Sequence, residues 1–150
     1  MKILQVGPLW ENIPPPKYGG TERIVHYLTE GLVKNGHEVT LYACGTAETK
    51  AKLVSIYPRP LFRDGIPWWN VMYPLLHITD AFEHEKEFDI IHMHLNQGSD
   101  FMALPLCQSF KKKVVFTLHF PYEFNKTWRG NTEVFQKYHD LNYISISNSQ

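Results

Sequence analysis

An α/β fold on a mainly parallel sheet, with helices on both faces, follows from three features of this 150-residue sequence. Apolar runs of strand length alternate with segments whose apolar residues recur at helical spacing along the whole chain. No internal repeat, low-complexity tract or interdomain linker interrupts that alternation, so one domain spans residues 1–150. Polar residues also gather at the C-terminal ends of the expected strands, where open parallel sheets bind ligands. Together these describe a Rossmann-like, doubly wound architecture.

Lys2-Ile3-Leu4-Gln5-Val6 reads as a buried parallel strand by its apolar run. Residues 7–19 form a long loop stiffened by Pro8 and by Pro14-Pro15-Pro16, and a loop of that length in a compact domain is usually functional. It ends in Gly19-Gly20, directly before a helix expected from Thr21 to Asn35 with Ile24, Val25, Leu28 and Leu32 on one face. Paired glycines at a helix start let the backbone approach a ligand, and the helix end favours anionic or polyhydroxylated groups. Gly36 is a good stop.

His37–Ala43 alternates as a strand, and a short apolar piece follows at Leu53–Ile56. Pro58, Pro60, Gly65 and Pro67 break any period across residues 57–69. A helix is expected from Asn70 to Glu87, interrupted or started late by Pro74, with Val71, Leu75, Ile78 and Phe82 facing the core. Phe88–His94 is the next strand and residues 99–110 the next helix, with a kink at Pro105. Lys113–His119 is a strand, Tyr122, Phe124 and Trp128 belong to an aromatic loop, and Thr132–His139 is a short helix. Asn142–Ser147 closes the sheet.

Composition excludes several classes. Hydrophobic content of 43% and charged content of 20% describe an ordinary globular chain. Fifteen basic and fifteen acidic residues cancel, which gives no electrostatic footprint for nucleic acid, and Lys111-Lys112-Lys113 reads as a solvated turn. Cys44 and Cys107 sit in apolar surroundings and read as reduced packing residues of a cytoplasmic protein. Met1-Lys2 leads straight into a strand, without the pattern of a signal peptide, and no apolar run has the length of a membrane span.

Gly19-Gly20, His94-Leu95-Asn96, His119 and Ser147-Asn148 therefore converge at one rim of the sheet, and solvated residues such as Lys2, Asp89 and Lys113 mark the other. Each has a plainer reading. His119 could simply bond a backbone group, His92 could pack under a helix while His94 lines the rim, and Glu22 could be a first-turn acid favoured by the helix dipole. Spacing of two places His92 and His94 on one strand face, as in a two-histidine metal clamp, but no third ligand motif accompanies them. Trp68, Trp69, Tyr122 and Trp128 could form an aromatic wall for sugar faces, or simply pack.

Pro15-Pro16-Lys17-Tyr18-Gly19-Gly20-Thr21-Glu22-Arg23-Ile24-Val25, followed by Leu32-Val33-Lys34-Asn35-Gly36-His37-Glu38-Val39-Thr40-Leu41-Tyr42, resembles the N-terminal domain of retaining GT-B glycosyltransferases of family 4. Phe88–His94, Val114–His119 and Ile144–Asn148 resemble that domain's later strands in the same order. The resemblance implies an enzyme that moves a sugar from a nucleotide-sugar donor to an acceptor with retention. Two Rossmann-like domains would face a cleft, and no metal or other cofactor would be needed. It implies that Gly19 and Gly20 form the loop approaching donor phosphates and acceptor; Glu22 beside them is a candidate site carboxylate by its position alone. His119 would bond the donor sugar, His94 and Asn96 would lie among acceptor contacts, and Ser147 and Asn148 would end the strand facing the cleft.

The resemblance covers the N-terminal half of such enzymes, so the C-terminal nucleotide-sugar domain is expected to be missing and this chain alone inactive. Its partners would be the nucleotide sugar, a sugar or lipid-linked acceptor, and the missing domain or a partner chain, without nucleic acid. Self-association through the uncovered domain face is expected, and the location implied is the cytoplasm, including the inner membrane face. Two alternatives stand beside this reading: a stand-alone Rossmann-like binding module without catalysis, and a metal-dependent hydrolase using His92, His94 and a distant carboxylate.

Overall fold

The computed structural model of the protein describes residues 1–120 and 129–147. Six strands form one parallel sheet: β1 (Lys2–Val6), β2 (Glu38–Tyr42), β3 (Lys52–Val54), β4 (Ile90–Leu95), β5 (Val114–Leu118) and β6 (Asn142–Ser145). Their order across the sheet is β3-β2-β1-β4-β5-β6, the order of a doubly wound α/β fold. Strands β1 and β4 lie side by side at the point where the winding reverses.

Helices cover both faces, as the alternation of apolar segments predicts. Leu4 and Val6, Ile91, Met93 and Leu95, and Phe116 and Leu118 point to one face, where Ile78, Ala81 and Phe82 of helix α2 (Met72–Glu83) pack on them. Ala103 and Leu104 of the short helix α3 (Ala103–Leu106) and Val134 and Phe135 of α4 (Arg129–Lys137) join the same core. Val25 of helix α1 (Gly20–Lys34) packs on Leu41 and Ala43 from the opposite face. A smaller cluster of Leu9, Trp10 and Leu61 fixes the long loop after β1, so Trp10 is core material although it belongs to a loop.

Several boundaries differ from those read in the sequence, each for a local reason. Helix α2 starts at Met72, which places Pro74 in the first turn where its missing N–H costs nothing. It ends at Glu83, and residues 85–87 form a separate 3₁₀ turn. Residues 98–102 are 3₁₀ and α3 spans four residues, in place of one helix over 99–110, because Pro105 has no N–H for the carbonyl one turn back. The piece at Leu53–Ile56 is the edge strand β3, one residue earlier and shorter. Helix α1 stops at Lys34, where Gly36 takes a φ of 82° and the His37 N–H closes on the Leu32 carbonyl.

Candidate functional site

The loop from β1 reaches α1 through a backbone conformation that requires glycine. Gly19 has a φ of 147°, and a Cβ there would lie 2.6 Å from Pro15 Cβ and 2.9 Å from a Glu22 carboxylate oxygen. Gly20 is different: a Cβ built on it meets nothing within 4 Å, because it faces a cavity. The first glycine thus makes the turn and the second keeps the helix start open. Gly19 stands at the N-cap without a side chain to bond the first helical N–H groups, so the capping at the start of α1 beside that cavity comes from the Glu22 carboxyl on its own N–H. Arg23 ties the arrangement together, its guanidinium donating to the Lys17 carbonyl at 2.9 Å.

That cavity, about 760 Å³, lies at the C-terminal ends of β1, β4 and β5. Gly19, Gly20, Glu22, Asn96 and His119 all line it, so the structure brings together five of the eight residues singled out from the sequence. His94 does not line it: only 1% of the residue is exposed, and it sits behind His119 instead of at the rim. Ser147 is exposed just past β6 and is not part of the lining, although its neighbour Ile146 is. Asn148 lies outside the described residues, as do Tyr122, Phe124 and Trp128. Trp68 and Trp69 are exposed and stack edge-to-face elsewhere; the aromatic rings at the cavity are Trp10, Tyr18, Tyr27 and Phe62.

Glu22 is 5% exposed, more enclosed than a first-turn acid held only by the helix dipole would be. Burial raises its carboxyl above the ordinary value, with the nearby Glu11 acting in the same direction. Asn96 is held twice, its side-chain oxygen accepting from Thr21 Oγ at 2.6 Å and its backbone N–H donating to Asp100 at 2.8 Å. The same Asp100 oxygen accepts from the Gln97 N–H, also at 2.8 Å. Asp100 is buried, which pushes its carboxyl up to about 6 against the pull of those two N–H groups.

His119 follows β5 and is anchored by its own N–H on the Leu95 carbonyl at 3.1 Å. Its Nε2 lies 3.0 Å from His94 Nδ1, and His94 Nε2 lies 2.8 Å from Gln5 Oε1. His92 stacks on His94 with ring centroids 4.4 Å apart, and its Nε2 meets Thr117 Oγ at 2.6 Å. Burial lowers all three histidines, His92 and His119 to about 4 and His94 well below the usual range. They are neutral at pH 7. The ring nitrogens of His92 and His94 are engaged with protein groups, which departs from the clamp their spacing suggested. Among the described residues, no three His, Cys, Asp or Glu side chains come together in a way that could hold a metal ion.

Gln5, Thr21 and Asp100 support this site and are not singled out by sequence reasoning. Asp100 follows Asn96 by four residues and opens a helical turn, a local signal that was available. Gln5 carries only the faint mark of an amide inside an apolar strand, because its partners are 87 and 89 residues away.

An open parallel sheet, with a glycine-made helix start and a cavity at its strand ends, defines an α/β domain of the doubly wound class. The family model of Glycosyltransferase Family 4 matches residues 18–145, and the chain belongs to that family. The fold is shared with sucrose-phosphate synthase from Thermosynechococcus elongatus, at 14% identity and a TM-score of 0.59, over 94% of this chain and 40% of that one. AviGT4, a glycosyltransferase involved in avilamycin A biosynthesis, aligns more loosely, at 19% identity and a TM-score of 0.42 over 79% of this chain and 32% of its own. The chain thus spans less than half the length of these two structures. No curated protein sequence matches it. Among the described residues, no helix is long and apolar enough to cross a membrane.

Proposed function

We propose that this domain forms the acceptor-side half of a glycosyltransferase that moves a sugar from a nucleotide-sugar donor with retention at the anomeric carbon. One observation carries the reading: the start of α1 and the His119 ring line a single cavity at the strand ends. Amides at a helix start stabilise negative charge on a departing diphosphate without a metal ion. Asn96 and His119 supply hydrogen-bonding groups for sugar hydroxyls, and the Glu22 carboxyl, which burial raises above its ordinary value, lies in the same lining. His94 serves as support for His119. Ser147, just past β6, and Asn148 after it in sequence would contribute from the side facing the cleft.

The donor nucleotide would be gripped by a second domain facing this cavity, in the same polypeptide or a partner chain. The domain alone would bind and not turn over. A sugar or a lipid-linked saccharide would be the acceptor, met in the cytoplasm or at the inner membrane face.

The test is a titration of the ¹⁵N-labelled chain with uridine, guanosine and adenosine diphosphate sugars and with free oligosaccharides, with and without chelator. Support would be amide shifts confined to Gly20–Arg23, Asn96 and His119 and unchanged by chelator. Shifts elsewhere, or none with any of these ligands, would favour a binding module for another ligand class. Binding abolished by chelator would restore the metal-dependent alternative.

A further inference from the structure

The three histidines form a proton register, and Gln5 sets it. Gln5 lies in β1, opposite His92 in the neighbouring β4, and is fully buried. Its Oε1 can only accept, so the hydrogen in the 2.8 Å contact belongs to His94 Nε2. A neutral imidazole carries one N–H, which leaves His94 Nδ1 bare and makes it the acceptor of the 3.0 Å contact with His119. His119 must then carry its hydrogen on Nε2. On the other side, Gln5 Nε2 lies 3.4 Å from His92 Nδ1 and can only donate, so His92 also carries its hydrogen on Nε2 and gives it to Thr117 Oγ at 2.6 Å.

One amide therefore dictates three tautomers. Turning it over would reverse every bond in the row, because each ring passes its polarity to the next. Protonation would break the row as well, since an imidazolium donates from both nitrogens. Burial opposes that by holding the rings neutral.

We propose that Gln5 is a positioning residue that makes His119 present a bare Nδ1, a hydrogen-bond acceptor, to the ligand in the cavity. This rests on the glycosyltransferase reading and narrows it. The group met by His119 would be a hydrogen-bond donor such as a sugar hydroxyl. A phosphate or carboxylate oxygen would meet a lone pair and be disfavoured there. Phosphate is left to the amides at the start of α1, so the two ends of the cavity sort the two halves of a sugar phosphate.

The experiment is long-range ¹H–¹⁵N correlation NMR of the imidazole nitrogens in the full chain without ligand, from pH 6.5 to 8. The expected result is Nε2–H alone at His92, His94 and His119, constant across that range. Nδ1–H at His94 or His119 in the native protein would overturn the proposal, because His119 would then face the ligand as a donor. In Gln5→Leu, His94 and His119 are expected to relax from one tautomer to a mixture of both. Unchanged tautomers in a folded variant would overturn the role of Gln5. If that variant does not fold, the native spectrum still decides. The spectrum is read without donor, so a failure of nucleotide-sugar binding would sink the glycosyltransferase reading and leave the register standing.

Discussion

Acidification should unfold this domain at a pH where most globular proteins are stable, because four histidines are held neutral in it, His77 and His94 buried and His92 and His119 half-buried. His77 is fully enclosed, its Nε2 against the Gly7 carbonyl at 3.1 Å, and burial lowers it from 6.5 to about 4. His92, His94 and His119 are lowered by the same cause. The unfolded chain takes up protons on these groups near pH 6.5 and the folded chain does not, so their stability is present above that pH. It is lost progressively as pH falls from 6.5 toward 4. For a shift of this size the loss between about pH 8 and pH 5 is on the order of 2 kcal/mol per enclosed histidine. His119, partly exposed beside the cavity, counts for less. Asp100 works in the opposite direction: with its carboxyl raised to about 6, its contribution is full below the unfolded value and lost as pH rises through 6. It returns about 1 kcal/mol over the same interval. His77 and His92, less the return from Asp100, give a net expected loss of about 3 kcal/mol, to which His94 adds in the same direction, a large part of the stability of many single domains. Urea unfolding at pH 8, 7, 6 and 5 measures it directly. A free energy that changes by less than about 1 kcal/mol between pH 7 and 5 would refute neutral burial of these rings. His77→Phe supplies the control, since it should make the pH dependence shallower by one proton whatever it does to absolute stability.

Other perturbations separate the parts of the site. Gly19→Ala should cost about 1–3 kcal/mol in denaturant unfolding, since φ at that position is 147° and the new methyl meets Pro15 and Glu22. Gly20→Val should leave the melting temperature nearly unchanged, because its Cβ points into open space, while nucleotide-sugar binding measured by calorimetry disappears. Asp100→Ala should destabilise by on the order of 2 kcal/mol by stranding the Asn96 and Gln97 N–H groups, with amide exchange of those two residues rising together. In a two-domain protein carrying this chain, His119→Ala should lower turnover far more than the lost bond to His94 lowers the melting temperature; a large loss of stability with normal turnover would make the residue structural.

What could be read from the sequence divides by distance along the chain. The strands and helices were legible because each is set by apolar spacing within a dozen residues, as at Val114–Leu118. The glycine turn was legible too, since Gly19, Gly20 and Glu22 are close neighbours. Their separate tasks were not: both glycines look alike in the sequence, and only the course of the loop through Pro15 makes one a strained turn and the other an open wall. His94 was expected at the rim because it stands near the end of β4. Burial followed instead, because His119 of the adjacent strand closes over it. For the aromatic residues, sequence leaves a sugar-facing wall and simple packing equally open. Trp68 and Trp69 lie away from the cavity, and its rim takes Phe62, which follows Leu61 of the Leu9-Trp10-Leu61 cluster, and Tyr18.

The polar row explains why such a core is tolerated. An amide, a hydroxyl and three imidazoles inside a sheet would each carry a desolvation cost if left alone. Here each finds a partner one strand away, because β1, β4 and β5 are in parallel register and place Gln5 beside His92 and His94 beside Thr117. A row of that kind is sensitive in a way an apolar core is not, since losing one member leaves its neighbours unpaired. Packing alone would be served at least as well by apolar residues at these positions. Gln5, His92 and Thr117 do not line the cavity, but they end on a side chain that does. The cost of the row is therefore best accounted for by what it delivers to the rim: a neutral, oriented His119.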